Sequence, residues 1–139
     1  MAAETKIPTE NKSIVARFIN EFQTNGHEEV ALEILAENFV DHSAITPFTP
    51  DRDGVIELFR MLRSAFSEFR AEINDQLADS DRVVTRKTFY GTHTGDFFGI
   101  PPTNRPIQFG VIDILRLENG KFTEHWCQVD FAGLMRQIA

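Results

Sequence analysis

Cysteine, tyrosine and tryptophan each occur once in the 139 residues. A single thiol, Cys127, cannot close an internal disulfide, which fits a reducing compartment. Basic runs are also scarce: none exceeds two residues (Arg86-Lys87), and the formal net charge is −7. That balance excludes the electrostatic footprint of a nucleic-acid binder and makes an anionic membrane surface a poor partner. No apolar run nears the roughly 18–20 residues of a membrane span. The opening MAAETKIPTE lacks the basic-then-apolar layout of a signal peptide, so the expected location is the cytoplasm. No phosphate-binding glycine loop, dinucleotide fingerprint or Gly-x-Ser-x-Gly elbow occurs, nor any repeat, low-complexity tract or linker. What abounds is phenylalanine, with thirteen residues in a chain that is 42% hydrophobic and 25% charged. Phe brings large apolar area and no hydrogen-bonding handle. A chain of this length builds one core, so this much Phe must fill that core, line a cavity or make an interface.

The first half has helical periodicity. Thr9 is placed to cap a first helix carrying Ile14, Val15, Phe18, Ile19 and Phe22, which Asn25-Gly26 ends. A second helix covers about residues 28–36, Phe39 to His42 is a short extended piece, and residues 45–50 form a loop. A third helix starts near Asp51 or Asp53 and carries the stripe Val55, Leu58, Phe59, Leu62 and Phe66. The second half alternates as strands over 69–78, 82–93, 107–117 and 121–130, with a long Gly/Pro loop from Thr94 to Pro106 holding an exposed Phe97 and Phe98. A short helix over 131–138 closes the chain. Helices followed by a four-strand antiparallel meander define an α+β class.

Asp113 is the most informative position. A period-2 strand puts Ile107, Phe109, Val111, Asp113, Leu115 and Leu117 on one face, so Asp113 is the one charge on an apolar surface. Such a carboxylate must be paired, or its pKa must rise, and either state suits acid/base work. A two-residue Asn119-Gly120 turn sets Asp113 opposite Trp126, whereas a three-residue loop with Gly120 left-handed sets it opposite His125. The second is preferred, because it leaves Glu118 and Asn119 in an ordinary type I turn. It also puts Cys127 and Val129 on the face of Asp113. Asp130 either caps the terminal helix or joins a site, and His93 either anchors the Gly/Pro loop or faces a ligand. His42 is placed either to rim a pocket or to lie on the surface, and Tyr90, the only phenol, to donate to a carbonyl. No pair of these residues has metal-ligand spacing, so no metal is expected.

Several motifs together resemble the SnoaL-like polyketide cyclase family. They are Gly91-Thr-His93-Thr-Gly95, Gly99-Ile-Pro101-Pro102-Thr103, Asp113-Ile-Leu-Arg116, Asn119-Gly-Lys121 and Glu124-His125-Trp126 followed by Asp130. The early Phe39-Val-Asp41-His42 and the closing Gly133-Leu-Met-Arg-Gln137 fit too. The resemblance implies a nuclear-transport-factor-2-like cone: a curved antiparallel sheet of four or more strands, wrapped by three N-terminal helices and a short C-terminal one around an apolar pocket. It also implies a homodimer and an intramolecular aldol closure of a polyketide ester, without metal or nucleotide. Family cyclases carry an acid/base Asp where this chain has Cys127 and a pocket His where it has Asp113; their equivalents of His93, His125 and Asp130 are kept. The expected protein therefore binds a small hydrophobic carbonyl compound and moves protons with Asp113 and His125, no cofactor being needed. Its expected pocket includes Phe18, Phe22, Tyr90, Phe109, Trp126, Cys127, His42, His93 and Asp130, and its apolar lining should raise the Asp113 pKa. Two alternatives stand beside this reading: a non-catalytic ligand-binding or dimerisation module, and an epoxide-hydrolase-like hydrolase using Arg86 and Tyr90.

Overall fold

The computed structural model describes the backbone of residues 2–139 and the side chains of residues 7–139. Helix α1 (Ala2–Arg17) continues without a break into a π-helical segment (Phe18–Thr24). It starts ahead of Thr9, so Thr9 is an interior residue and not the cap. Helix α2 (Glu28–Ile34) is shorter than its apolar pattern, because the backbone turns extended at Leu35 and enters strand β1 (Leu35–Asp41). Helix α3 (Arg52–Ala65) is capped by Asp51, whose side chain accepts a hydrogen bond from the Gly54 N–H at 2.9 Å. Its buried stripe, Val55, Ile56, Phe59 and Leu62, faces the sheet. Each such large side chain contributes about 1.5–3 kcal/mol on burial.

Phe66 opens strand β2 (Phe66–Asp79) and does not extend α3. The reason is local: the Thr94 and Gly95 N–H groups both donate to the Ala65 carbonyl, at 3.1 and 3.0 Å, and close off the helix end. Only glycine fits at position 95, since a Cβ there would lie 2.2 Å from the Ser64 carbonyl oxygen. Strands β3 (Arg82–His93), β4 (Pro106–Glu118) and β5 (Lys121–Val129) complete the antiparallel meander, and helix α4 (Phe131–Gln137) follows.

The five strands lie in the order β1-β5-β4-β3-β2, and β1 runs parallel to β5. The sheet is therefore mixed and unclosed, one strand larger than the meander. The β4–β5 hairpin departs from both expected registers. Asn119 and Gly120 both adopt positive φ (51° and 77°), which defines a two-residue turn with Glu118 opposite Lys121. A bulge then inserts Thr123 between the Leu117–Phe122 and Arg116–Glu124 pairs. The extra residue sets Asp113 opposite Cys127, not opposite Trp126 or His125. The bulge also decides the faces: His125, Cys127 and Val129 share the face of Asp113, and Trp126 turns to the other side. Of the two phenylalanines of the 94–105 loop, Phe97 is fully buried beside Phe66 and Phe98 is exposed. No helix among the described residues is long and apolar enough to cross a membrane.

Candidate functional site

Between α3, α4 and the inner face of the sheet lies a cavity of about 340 Å³. Its walls are apolar, formed by Leu58, Phe59 and Leu62 of α3 and by Phe89, Phe109 and Val111 of the sheet. Its most exposed lining residues, Ile45, Phe98, Val129 and Phe131, make the rim. The polar groups gather at the opposite end, where Asp113, Lys87, His125 and Gln23 line both this cavity and a smaller chamber of about 50 Å³ beneath the π-helical segment.

Asp113 is 2% exposed. Its Oδ2 forms an ion pair with Lys87 Nζ at 2.7 Å, and Lys87 Nζ also donates to Gln23 Oε1 at 3.0 Å. His125 Nε2 stands 3.8 Å from the same Oδ2, an ion-pair distance too long for a hydrogen bond. On its other side the His125 Nδ1 meets Asp41 Oδ1 at 2.9 Å, which fixes the ring. The parallel pairing of β1 with β5 makes this contact, since Asp41 lies beside His125. Asp113 Oδ1 is buried and bonded by no protein group among the described residues. The floor thus sets two carboxylates against an ammonium and an imidazole, with one carboxylate oxygen free.

Burial alone would raise the Asp113 pKa, as the sequence led us to expect. The Lys87 ammonium and the neighbouring His125 outweigh burial, and the carboxyl is held below its ordinary value as a carboxylate. For His125 burial works downward, but Asp113 and Asp41 together outweigh it and raise the imidazole. Burial, reinforced by Asp41 and Asp113, pushes the Cys127 thiol up to about 11, so it stays protonated at neutral pH.

These shifts set a pH window. The raised His125 adds stability that is complete below its ordinary 6.5 and fades as pH climbs through its folded value. The lowered Asp113 adds stability that is complete above its ordinary 3.8 and fades as pH falls through its folded value. Both contributions are therefore full between 3.8 and 6.5. The expected NMR result is a His125 ring that titrates above 6.5, while a ring titrating below 6.5 would contradict the assignment.

Of the residues singled out in the sequence, Asp113, His125, Phe109 and Cys127 meet at the main cavity, and Phe18 reaches the smaller chamber. The others lie elsewhere. Phe22 is a core residue against Phe18 and Phe59. Tyr90, on the opposite parity of β3, lies on the outer face beneath the Arg70 guanidinium. Trp126 also lies on the outer face, stacked on His42 at 4.8 Å, and His42 meets Glu124 at 3.0 Å. His93 is fully buried and anchors the loop: its Nδ1 lies 3.0 Å from Thr103 Oγ1 and accepts the Thr103 N–H. Asp130 caps α4, its Oδ1 accepting the Gly133 N–H at 2.9 Å. Replacing Asp130 by Ala is expected to lower stability by about 1 kcal/mol, read from a shifted urea midpoint; an unmoved midpoint would contradict the capping role.

Three polar residues of the floor escaped the sequence reading: Lys87, Gln23 and Asp41. Lys87 carried a usable signal, because it shares the parity of Val83, Thr85 and Phe89 on β3, the buried face. Gln23 follows Ile19 by four residues at the edge of the apolar stripe. Ser43, on the cavity wall, ties the loop after β1 to β5 by accepting the Cys127 N–H at 2.9 Å. No group of three or more His, Cys, Asp or Glu among the described residues is arranged to hold a metal ion.

An unclosed sheet wrapped by helices, here around an apolar cavity with a buried ionic floor, is the nuclear-transport-factor-2-like fold. The family model of the SnoaL-like polyketide cyclases matches residues 13–138, and the chain belongs to that family. It is similar to the aklanonic acid methyl ester cyclase DnrD of Streptomyces peucetius, at 26% identity over 130 residues, 90% of this chain and 88% of that protein. It also resembles the solved structure of IdmH from Streptomyces antibioticus, with a TM-score of 0.81 and 27% identity over 91% of this chain and 96% of that one. TsrD from Streptomyces laurentii shares the fold at a TM-score of 0.85 and 24% identity, covering 94% and 96%.

Proposed function

We propose that this chain binds a small apolar carbonyl compound in its cavity and catalyses cofactor-free proton transfer on it, of the aldol-cyclisation or isomerisation type. One observation carries the reading: at the end of an otherwise apolar cavity, a carboxylate with a free oxygen stands 3.8 Å from an imidazole that a second carboxylate orients. Asp113 Oδ1 removes a proton from the carbon beside the carbonyl. The His125 Nε2–H donates to the carbonyl oxygen as negative charge develops there, and a water-poor site strengthens that bond. Asp113 and His125 are close enough for the proton taken by one to return through the other, so the pair ends each cycle as it began. Similarity to a methyl ester cyclase supports ring closure as the reaction.

A module serving dimerisation alone is expected to have its pocket filled by Phe side chains. A cavity of about 340 Å³ reaching Asp113 and His125 favours an enzyme or a ligand carrier instead. The hydrolytic reading loses its support, since Tyr90 lies on the outer face and Arg86 points to Asp75, 3.3 Å away. The homodimer implied by the resemblance is retained in the proposal, with the outer sheet face around the half-exposed Ile112 as its contact.

Deuterium uptake next to the carbonyl of 2-tetralone, followed by NMR in D₂O at pH 7, tests the activity. Saturable acceleration over buffer is expected. A rate equal to that of buffer, with the ketone shown to bind, would remove the catalytic part of the proposal.

A further inference from the structure

We infer that the cavity floor selects ligands that present a hydroxyl donor on an apolar body, and that Asp113 Oδ1 is the atom that reads it. The inference rests on the proposal that the cavity binds a small apolar molecule. It deepens that proposal by adding a group the carbonyl alone does not supply.

Asp113 Oδ2 holds Lys87, Lys87 also holds Gln23 Oε1, and His125 Nδ1 holds Asp41. His125 Nε2, 3.8 Å from Asp113 Oδ2, makes no hydrogen bond among the described residues and is the donor that the proposed reaction turns to the carbonyl. Oδ1 remains buried without a protein donor. A carboxylate oxygen accepts and cannot donate, so a carbonyl or ether oxygen brought against it would set acceptor on acceptor and leave both unsatisfied. A hydroxyl supplies the missing proton, and the surrounding Phe side chains cover the rest of the molecule. Water can fill the same position, but it brings no apolar surface to bury. A carboxylate oxygen has two acceptor sites, so holding a hydroxyl does not prevent Oδ1 from receiving a substrate proton.

The geometry also predicts what Asn would do at this position. Lys87 requires an acceptor, so the amide oxygen of Asp113→Asn turns to Lys87 and the amide N–H₂ replaces Oδ1. The floor then offers a donor where it offered an acceptor.

The test uses two probes on one ring system, 2-naphthol and its methyl ether 2-methoxynaphthalene, titrated calorimetrically into the wild-type protein and Asp113→Asn. The wild type is expected to bind 2-naphthol about tenfold or more tightly than the ether, the worth of one hydrogen bond to a charged group. In Asp113→Asn the preference is expected to vanish or invert. Equal wild-type affinity for both probes would overturn the donor selection while leaving the cavity proposal standing. Saturable binding of neither probe would overturn both. The wild-type comparison decides the matter even if the variant fails to fold.

Discussion

Replacing Lys87 by Met is expected to destabilise the protein by about 3–5 kcal/mol. Lys87 is 3% exposed and forms the 2.7 Å ion pair with Asp113 Oδ2. Met fills much of the same volume but leaves Asp113 buried with only the more distant His125 as a counter-charge, 3.8 Å away. The carboxyl must then either stay ionised in an apolar setting or take up a proton, and either route costs stability. Urea unfolding at constant m-value reads the change as a lowered midpoint. Pairing Lys87→Met with Asp113→Leu removes the stranded charge and should recover most of the loss, since a buried ion pair replaced as a whole is often neutral. A single variant within about 1 kcal/mol of wild type would mean that the pair does not carry the floor.

The second large effect is on chemistry. Asp113→Asn is expected to slow deuterium uptake into 2-tetralone by about 10²–10⁴-fold, the usual worth of a positioned general base. Asn keeps the shape and a partner for Lys87 but has no basic oxygen. Because Lys87 loses its counter-charge, this variant also loses stability, so its rate must be compared at a temperature where circular dichroism shows it folded. A folded Asp113→Asn that exchanges at the wild-type rate would take Asp113 out of the mechanism.

How much of this was legible in the sequence depends on which physical signal each residue left. Strand parity located Asp113 on an apolar face, but which β5 residues share that face depends on the register; the preferred three-residue loop put His125 and Cys127 there, and the bulge at Thr123 is what does so in the structure. Parity could not choose the partner. One extra residue at Thr123 slides the hairpin by one position, and nothing in Lys121-Phe-Thr-Glu124 announces a bulge. The same parity placed Lys87 inward, yet a lysine next to Arg86 reads as surface charge until the register puts Thr85 opposite Asp113. Asp41 reaches the site only because β1 joins β5 in parallel, a pairing between segments more than eighty residues apart that no local pattern encodes. His42 and Trp126 look chemical in the sequence but stack on the outer face. Of the two roles open to His93 in the sequence, loop anchor or ligand contact, it takes the first and holds the 94–105 loop through Thr103. The fold class was readable because, β1 and α4 apart, helices precede strands along the chain, while the ionic floor depends on contacts between distant strands.

The most direct test of the central claim is the 2-tetralone exchange rate of the double variant Asp113→Asn/His125→Gln set beside each single variant. Two groups that act as one proton-transfer unit give strongly non-additive losses, so the double variant should be little slower than the slower single. Losses that multiply, or single variants that exchange at the wild-type rate, would contradict a shared Asp113–His125 mechanism at the floor of the cavity.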